Sequence, residues 1–271
     1  YRAIYGDHPY AHPSEGERAS IEAIQRVALL DFHRRYYVGS NAIVAIVGAV
    51  NRERAEALAE TLVGALAHGR HAPPLPDPAP PPASAIRQIT IPYPSSQTHI
   101  LLGQQGLKRG DPDYFPLYVG NHILGGSGLV SRIADEIREA RGLAYSASSR
   151  FIPMRVHGPF ILGLQTRNRS AEEALTVLRQ TLSDFIETGP DAEELEAAQR
   201  NITGSFPLNI DANGDIVAYL GMIGFYDLPL DYLDRFAERV EAVTLVQIRE
   251  AFARRIDPQR LFTVMVGDQE R

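Results

Sequence analysis

Seven of the ten residues from 73 to 82 are proline, in the stretch "HAPPLPDPAPPPASA" (71–85). Proline lacks an amide donor and its ring fixes φ, so this run enters neither a helix nor a central strand. It favours polyproline II, a semi-rigid spacer with a reach of roughly 3.1 Å per residue. The run divides the chain into a short first part, 1–70, and a long second part, 86–271. Upstream, "SIEAIQRVALLDFHRRYY" (20–37) predicts a helix behind a Ser20 cap, and "AIVAIVGAV" (42–50) predicts a strand apolar on both faces. "NRERAEALAETLVGALAHG" (51–69) predicts a helix opened by Asn51 and closed by Gly69. Downstream, strands are expected near 87–92, 97–104, 143–152, 157–166 and 261–267. Helices are expected near 112–124, 129–140, 170–188, 191–205, 212–226, 231–241 and 244–255. Strands ahead of a run of helices make the expected class α+β, with helices layered on one face of a mostly antiparallel sheet.

The two parts end alike. "FHRRYYVGSNAIVAIVGAV" (32–50) and "AFARRIDPQRLFTVMVGDQ" (251–269) both run from an Arg-Arg helix tail through a turn into an apolar strand stopped by Val-Gly. Setting Gly48 against Gly267 also aligns Arg35 with Arg254. The expectation is a duplicated domain of unequal copies. Roughly 180 residues separate the spacer from Gly267, whereas 47 precede Gly48, so about 135 residues of the first copy are expected upstream of Tyr1. A strand apolar on both faces belongs mid-sheet, and residues 1–70 do not supply its neighbours. The absence of an initiator Met fits a processed or trimmed chain.

Composition removes several function classes. A formal net charge of −6 without a Lys/Arg run argues against nucleic acid, because phosphate binding needs clustered cations. The longest apolar run, 42–50, is about half of what a membrane span needs, so no membrane helix is expected. With 0 cysteines there are no disulfides, cysteine nucleophiles or thiolate metal sites. One lysine, Lys108, among 27 basic residues, with abundant alanine, fits a GC-rich bacterial coding sequence.

The chemistry-bearing stretch is "HILGGSGLVSRIADEIREARGLAYSASSR" (122–150). Gly125, Gly126 and Gly128 form a flexible corner ahead of a helix whose Val130, Ile133, Ala134 and Ile137 fall at i, i+3, i+4 and i+7 and pack inward. Arg138 lies about 80–100° from the centre of that stripe, on its shoulder. Gly142 is placed to take positive φ and turn the chain into a strand on which Leu143, Tyr145, Ala147 and Ser149 share a face. Arg138 and Tyr145 are then able to face one another across the corner. A five-donor guanidinium beside a phenol hydroxyl suits a carboxylate, or a peptide carbonyl becoming an oxyanion. The plainer alternative is an Arg138 ion pair with Glu136 or Asp135 and a Tyr145 that only packs.

"GDHPYAHPSEG", "FHRRYYVGSNAIVAIVGAV", "ILGGSGLVSRIADEIREARGLAYS" and "FYDLPLDYLDRFAERVEAVTLVQIREAF" together resemble the pitrilysin/insulinase family of zinc peptidases, the inverzincins, over nearly the whole chain. This family includes mitochondrial processing peptidases and bacterial periplasmic members. The resemblance implies duplicated α/β-sandwich-type domains that enclose a peptide in a chamber. It implies that Arg138 and Tyr145 bind the substrate backbone across from the zinc. Gly125, Gly126 and Gly128 fall where noncatalytic processing subunits carry a glycine-rich substrate loop, here a short one.

No H-x-x-E-H occurs in the chain. His8 and His12 in "HPYAHP" are the nearest pair, but Pro9 and Pro13 forbid the helix that would align them, and no Glu lies between. The other histidines, His33, His68, His71, His99, His122 and His157, lack ligand spacing. The expectation is therefore no catalytic residue and no metal ligand in this chain. The family's zinc would come from an upstream half or a partner subunit, and the implied substrate is a peptide or small protein. A dimer is possible, and the bacterial periplasm or, failing that, the cytoplasm is the expected compartment. Residues 1–70 are read as the end of a first peptidase-like domain, 71–85 as linker and 86–271 as a second, Arg/Tyr-bearing domain. A catalytically inactive peptide-binding or assembly scaffold is the alternative function.

Overall fold

Alternating burial along short apolar runs builds a sheet, and amphipathic helices cover one of its faces. The computed structural model describes residues 1–268, so the last three residues of the expected second domain, and Gln269 at the end of the repeat, lie outside the described residues. In chain order the elements are α1 (Arg2–Tyr5), α2 (Arg18–Ala23), α3 (Arg26–Tyr36), α4 (Arg52–Val63), β1 (Gln88–Pro92), β2 (Gln97–Gln105), α5 (Tyr114–Asn121), α6 (Arg132–Ala134), β3 (Ala144–Phe151) and β4 (Pro159–Arg167). Then follow α7 (Ala171–Thr188), α8 (Ala192–Ser205), α9 (Asn213–Phe225), α10 (Phe236–Glu241), α11 (Leu245–Arg255) and β5 (Phe262–Gly267). Two helices widen into π turns, α5 through His122–Gly126 and α6 through Asp135–Glu139. Among the described residues, Tyr1–Ala11, Asp77–Gly204 and 235–268 form one compact unit, and His12–Pro76 with Ser205–Asp234 form another.

The first unit holds a sheet of order β1-β5-β2-β4-β3, in which β1 and β5 run parallel and the other neighbours antiparallel. The α+β expectation holds, and all five downstream strands lie within about two residues of the expected positions. Period-two alternation buries Ile100 and Leu102 of β2 and Phe160, Leu162 and Leu164 of β4 on one face. Helix α7 meets that face with Ala174, Leu175, Leu178, Leu182 and Phe185. Phe185 lies 4.9 Å edge-on from Phe252 of α11, which in turn reaches Phe151 of β3. Buried hydroxyls there are satisfied: Thr263 accepts from Arg179 at 2.6 Å and Thr98 donates to Asn168 at 2.9 Å. The opposite face is open apart from one corner, where Ile4, Tyr5 and Ala11 pack on Phe262 and the Tyr5 hydroxyl donates to the His157 carbonyl at 2.9 Å.

The end of α11 is tied to the start of α5 by charge. Arg255 donates to Asp113 and Asp111, both at 2.7 Å, and Arg254 donates to Asp113 at 2.7 Å. Burial alone would raise the Asp113 carboxyl. Hydrogen bonds from Arg254 and Arg255 outweigh it and hold the group below the usual carboxylate range.

In the second unit several expectations are overturned. The 20–37 helix is two helices, α2 and α3, with Ile24 and Gln25 extended between them. Ile21, Ile24, Val27 and Phe32 are all exposed, so the tertiary burial that normally holds an amphipathic helix continuous is missing here. Ser20 is not the cap but sits one turn in: its hydroxyl accepts from the Glu17 N–H at 2.9 Å in a capping box that starts at Glu17. Residues 42–50 do not form a strand; a strand requires a hydrogen-bonded neighbour, and the described residues of this unit contain none. Asn51 does cap α4, accepting from the Arg54 N–H at 2.9 Å, but the helix ends at Val63, before Gly64. Gly69 instead allows close packing, since a Cβ there would lie 2.5 Å from a Val38 methyl.

Because the folded Asp113 carboxyl is held low, its contribution to stability is present above the unfolded carboxylate range and is lost as pH falls through the folded value. Asp113→Asn should lower the unfolding free energy at pH 7 by about 2 kcal/mol. The gap to the parent should narrow under acid conditions, as urea titrations across pH would show.

Candidate functional site

The site is assembled by a helix start, a helix end and a strand irregularity. Ser131 caps α6: its Oγ accepts from the Ala134 N–H at 3.4 Å and donates to the Gly128 carbonyl at 2.9 Å. The helix therefore opens at Arg132 rather than 129. Val130, expected in the buried stripe, is 76% exposed in the turn before it, while Ile133, Ala134 and Ile137 are buried as expected. Arg132 anchors this segment through a two-pronged contact with Glu194 of α8, both bonds at 2.6 Å, and a third bond to the Gly189 carbonyl at 3.0 Å.

Gly142 takes φ +61°, as expected for the residue that ends the helix. Its N–H reaches the Arg138 carbonyl at 2.9 Å, and the Leu143 N–H reaches the Ile137 carbonyl at 2.8 Å. Strand β3 then slips register against β4: Ala144 pairs with Thr166 but Ala147 pairs with Leu164. Tyr145 and Ser146 thus stand against Gln165 alone, a β-bulge. The expectation that Tyr145 shares a face with Ala147 and Ser149 is corrected by this bulge. Ala147 is 7% and Ser149 2% exposed, whereas Tyr145 is 82% exposed. Turned outward, the Tyr145 ring receives Arg138, whose guanidinium carbon lies 5.1 Å from the ring centroid. Arg138 pairs with Glu139 at 3.4 Å rather than with Glu136 or Asp135; Glu136 is taken by Arg141.

The three candidate glycines separate. Gly125 and Gly126 belong to the π turn that continues α5, not to a flexible corner, and Gly125 is buried. A Cβ on Gly125 would lie 2.6 Å from the Ser149 backbone nitrogen. Its role in the fold is this close approach of helix to strand, which a reciprocal pair fastens. Ser149 Oγ donates to Asn121 Oδ1 at 2.8 Å, and Asn121 Nδ2 donates to the Ser149 carbonyl at 3.1 Å. Gly126 is exposed, and Gly128, at φ +67°, forms the actual corner.

Next to Tyr145 the open sheet face dips into a hollow of about 240 Å³, lined among others by His99, Leu101, Ser146, Ser148, Arg150 and Gln165. Strand alternation in "LAYSASSR" places Ser148 and Arg150 on one side. The bulge, and the neighbours across β4 and β2, have no local signature, which is why sequence reasoning missed this feature. Among the described residues no group of three or more His, Cys, Asp or Glu is placed to hold a metal ion. His8 accepts from the Tyr10 N–H through Nδ1 at 3.1 Å. Burial lowers the pKa of His122, and a hydrogen bond with Asn201 opposes that shift.

Residues 23–202 match the family model described as the peptidase M16 inactive domain. An uncharacterized zinc protease of Mycobacterium leprae is 28% identical over 272 aligned positions, covering 98% of this chain and 59% of that protein. A Helicobacter pylori protein named as a non-peptidase homolog is 25% identical over 150 residues, 55% of this chain and 34% of that protein. The crystal structure of a peptidase M16 inactive domain from Pseudomonas fluorescens is 38% identical with a TM-score of 0.93, covering 98% of this chain and 63% of that one. The chain thus spans about three fifths of the Mycobacterium leprae protein's length.

Gly125→Ala forces backbone apart and should destabilise the protein by about 1–3 kcal/mol. Gly128→Ala meets open space but a left-handed backbone, and should cost about 1 kcal/mol. Denaturant midpoints of the two variants check this order.

Proposed function

The chain belongs to the M16 peptidase family, matching its inactive domain over 23–202, and we propose that it is the non-catalytic, peptide-gripping portion of a zinc peptidase. The resemblance to the pitrilysin/insulinase peptidases is thereby borne out. One observation carries the reading: Arg138 and Tyr145 meet on an open face of the sheet, with the phenol exposed. The Arg138 fork and the Tyr145 hydroxyl together present donors to a main-chain carbonyl of an extended peptide. These donors are strongest for an oxygen gaining negative charge, so they favour the form of the peptide in which that charge develops. Gly126 and Gly128, with exposed Leu129 and Val130 beside them, form a surface that such a peptide would cross.

Zinc does not fit this chain's own residues, given the lack of H-x-x-E-H and of any ligand cluster among the described residues. In this reading zinc, and the water it activates, belong to a zinc-bearing half or partner subunit. The domain division at 1–70, 71–85 and 86–271 is part of the same proposal, as is a dimeric assembly. So is a bacterial periplasmic setting, with the cytoplasm as the alternative. No helix among the described residues is long and apolar enough to cross a membrane. The second reading, a catalytically inactive peptide-binding or assembly scaffold, is favoured by the Helicobacter pylori relative's name as a non-peptidase homolog.

Arg138→Ala and Tyr145→Phe should each leave the denaturation midpoint nearly unchanged. Each should lower kcat/KM of the enzyme assembled with its zinc-bearing half by about 10²-fold. Fluorescence anisotropy of a labelled extended peptide with the chain alone should show weakened binding in both. Unaltered binding and turnover in both variants would sink the peptidase reading; peptide binding without turnover in any assembly would favour the scaffold.

A further inference from the structure

The hollow beside Tyr145 has a chemistry that the Arg138–Tyr145 pair does not use. Its floor is Gly163, which pairs with Ser148 of β3 on one side and Leu101 of β2 on the other. A Cβ at Gly163 would come within 3.0 Å of a Leu101 methyl, so any larger residue would fill space that glycine leaves open. Ser146, Ser148 and Arg150 line one wall, and among the described residues no acidic side chain lines the hollow.

Arg150 differs from the ion-paired arginines of the same unit. Arg132, Arg138, Arg141, Arg254 and Arg255 each face a carboxylate of the protein. Arg150 is exposed, and among the described residues it has no such counterpart. A guanidinium fork next to two hydroxyls that rotate to donate is a set of donors in search of an anion.

We infer that this hollow is a subsite for a carboxylate of the gripped peptide, an Asp or Glu side chain or the chain end. The inference rests on the peptide-gripping reading above. Ser146 to Arg150 is four residues, roughly 13 Å at about 3.3 Å each, so the carboxylate lies about four residues along an extended peptide from the carbonyl held at Tyr145. Arg150 binds it in two-pronged fashion, Ser148 adds a hydroxyl donor, and Leu101 takes the methylene stem.

The test uses the 271-residue chain and a labelled, N-acetylated, C-amidated peptide with one Glu, its Gln counterpart, and the Gln peptide with a free C-terminus. The Glu peptide should bind about tenfold tighter than the Gln peptide. Arg150→Gln should remove that preference without moving the thermal midpoint. Gly163→Val should remove it by filling the hollow, whereas Tyr145→Phe should weaken Glu and Gln peptides alike. Preference for the free C-terminus, lost in Arg150→Gln, would assign the site to chain ends rather than side chains. Equal binding of Glu, Gln and free-ended peptides overturns the subsite while leaving the gripping pair intact; no binding of any peptide overturns both.

Discussion

Two residues of β3 standing against one of β4 is the constraint on which the site depends. Without the slip between Ala144 and Ala147, strict alternation would place Tyr145 with Ala147 and Ser149, beneath the helices. With it, the phenol emerges on the open face within reach of Arg138. The bulge is held from both sides. The Thr166 hydroxyl donates to the Leu143 carbonyl at 2.5 Å just before it, and the Asn121–Ser149 pair fastens the strand just after it.

Irregular helix geometry serves the same corner. The π turn over Asp135–Glu139 carries Arg138, and the π turn over His122–Gly126 lays Gly125 against β3. Extra residues inserted into helices change where side chains point, which is why such turns are frequent at functional positions. Strand bulge and helical π turns are thus matched departures from regular structure, meeting at one place. Elsewhere in the first unit the structure is regular, from α7 to the sheet it covers.

Charge is distributed to the same end. Arg254 and Arg255 neutralise Asp111 and Asp113 at one end of the sheet, and Arg132 holds Glu194 at the helix start. The carboxylates of Asp111 and Asp113 are largely withdrawn from water while the Arg254 side chain stays exposed, so removing the arginines would leave buried charges uncompensated. The aligned position in the internal repeat, Arg35, has no such carboxylate among the described residues and instead lies 5.4 Å from the neighbouring Tyr36 ring. Likeness in sequence between the two tails therefore does not extend to likeness in environment.

Local pattern alone determined the α+β class, the strand positions of the second part, the Asn51 cap and the Gly142 turn. Each follows from periodicity or from one residue's backbone preference, which act over a few positions. Tertiary structure decided the rest. It broke the 20–37 helix, whose apolar side is left exposed, and kept 42–50 from becoming a strand for want of a paired neighbour. It also turned Tyr145 outward and joined His99, Gly163 and Arg150 from three strands into one hollow. Register, bulges and burial arise from contacts between residues far apart in the chain, and those leave no mark on local spacing.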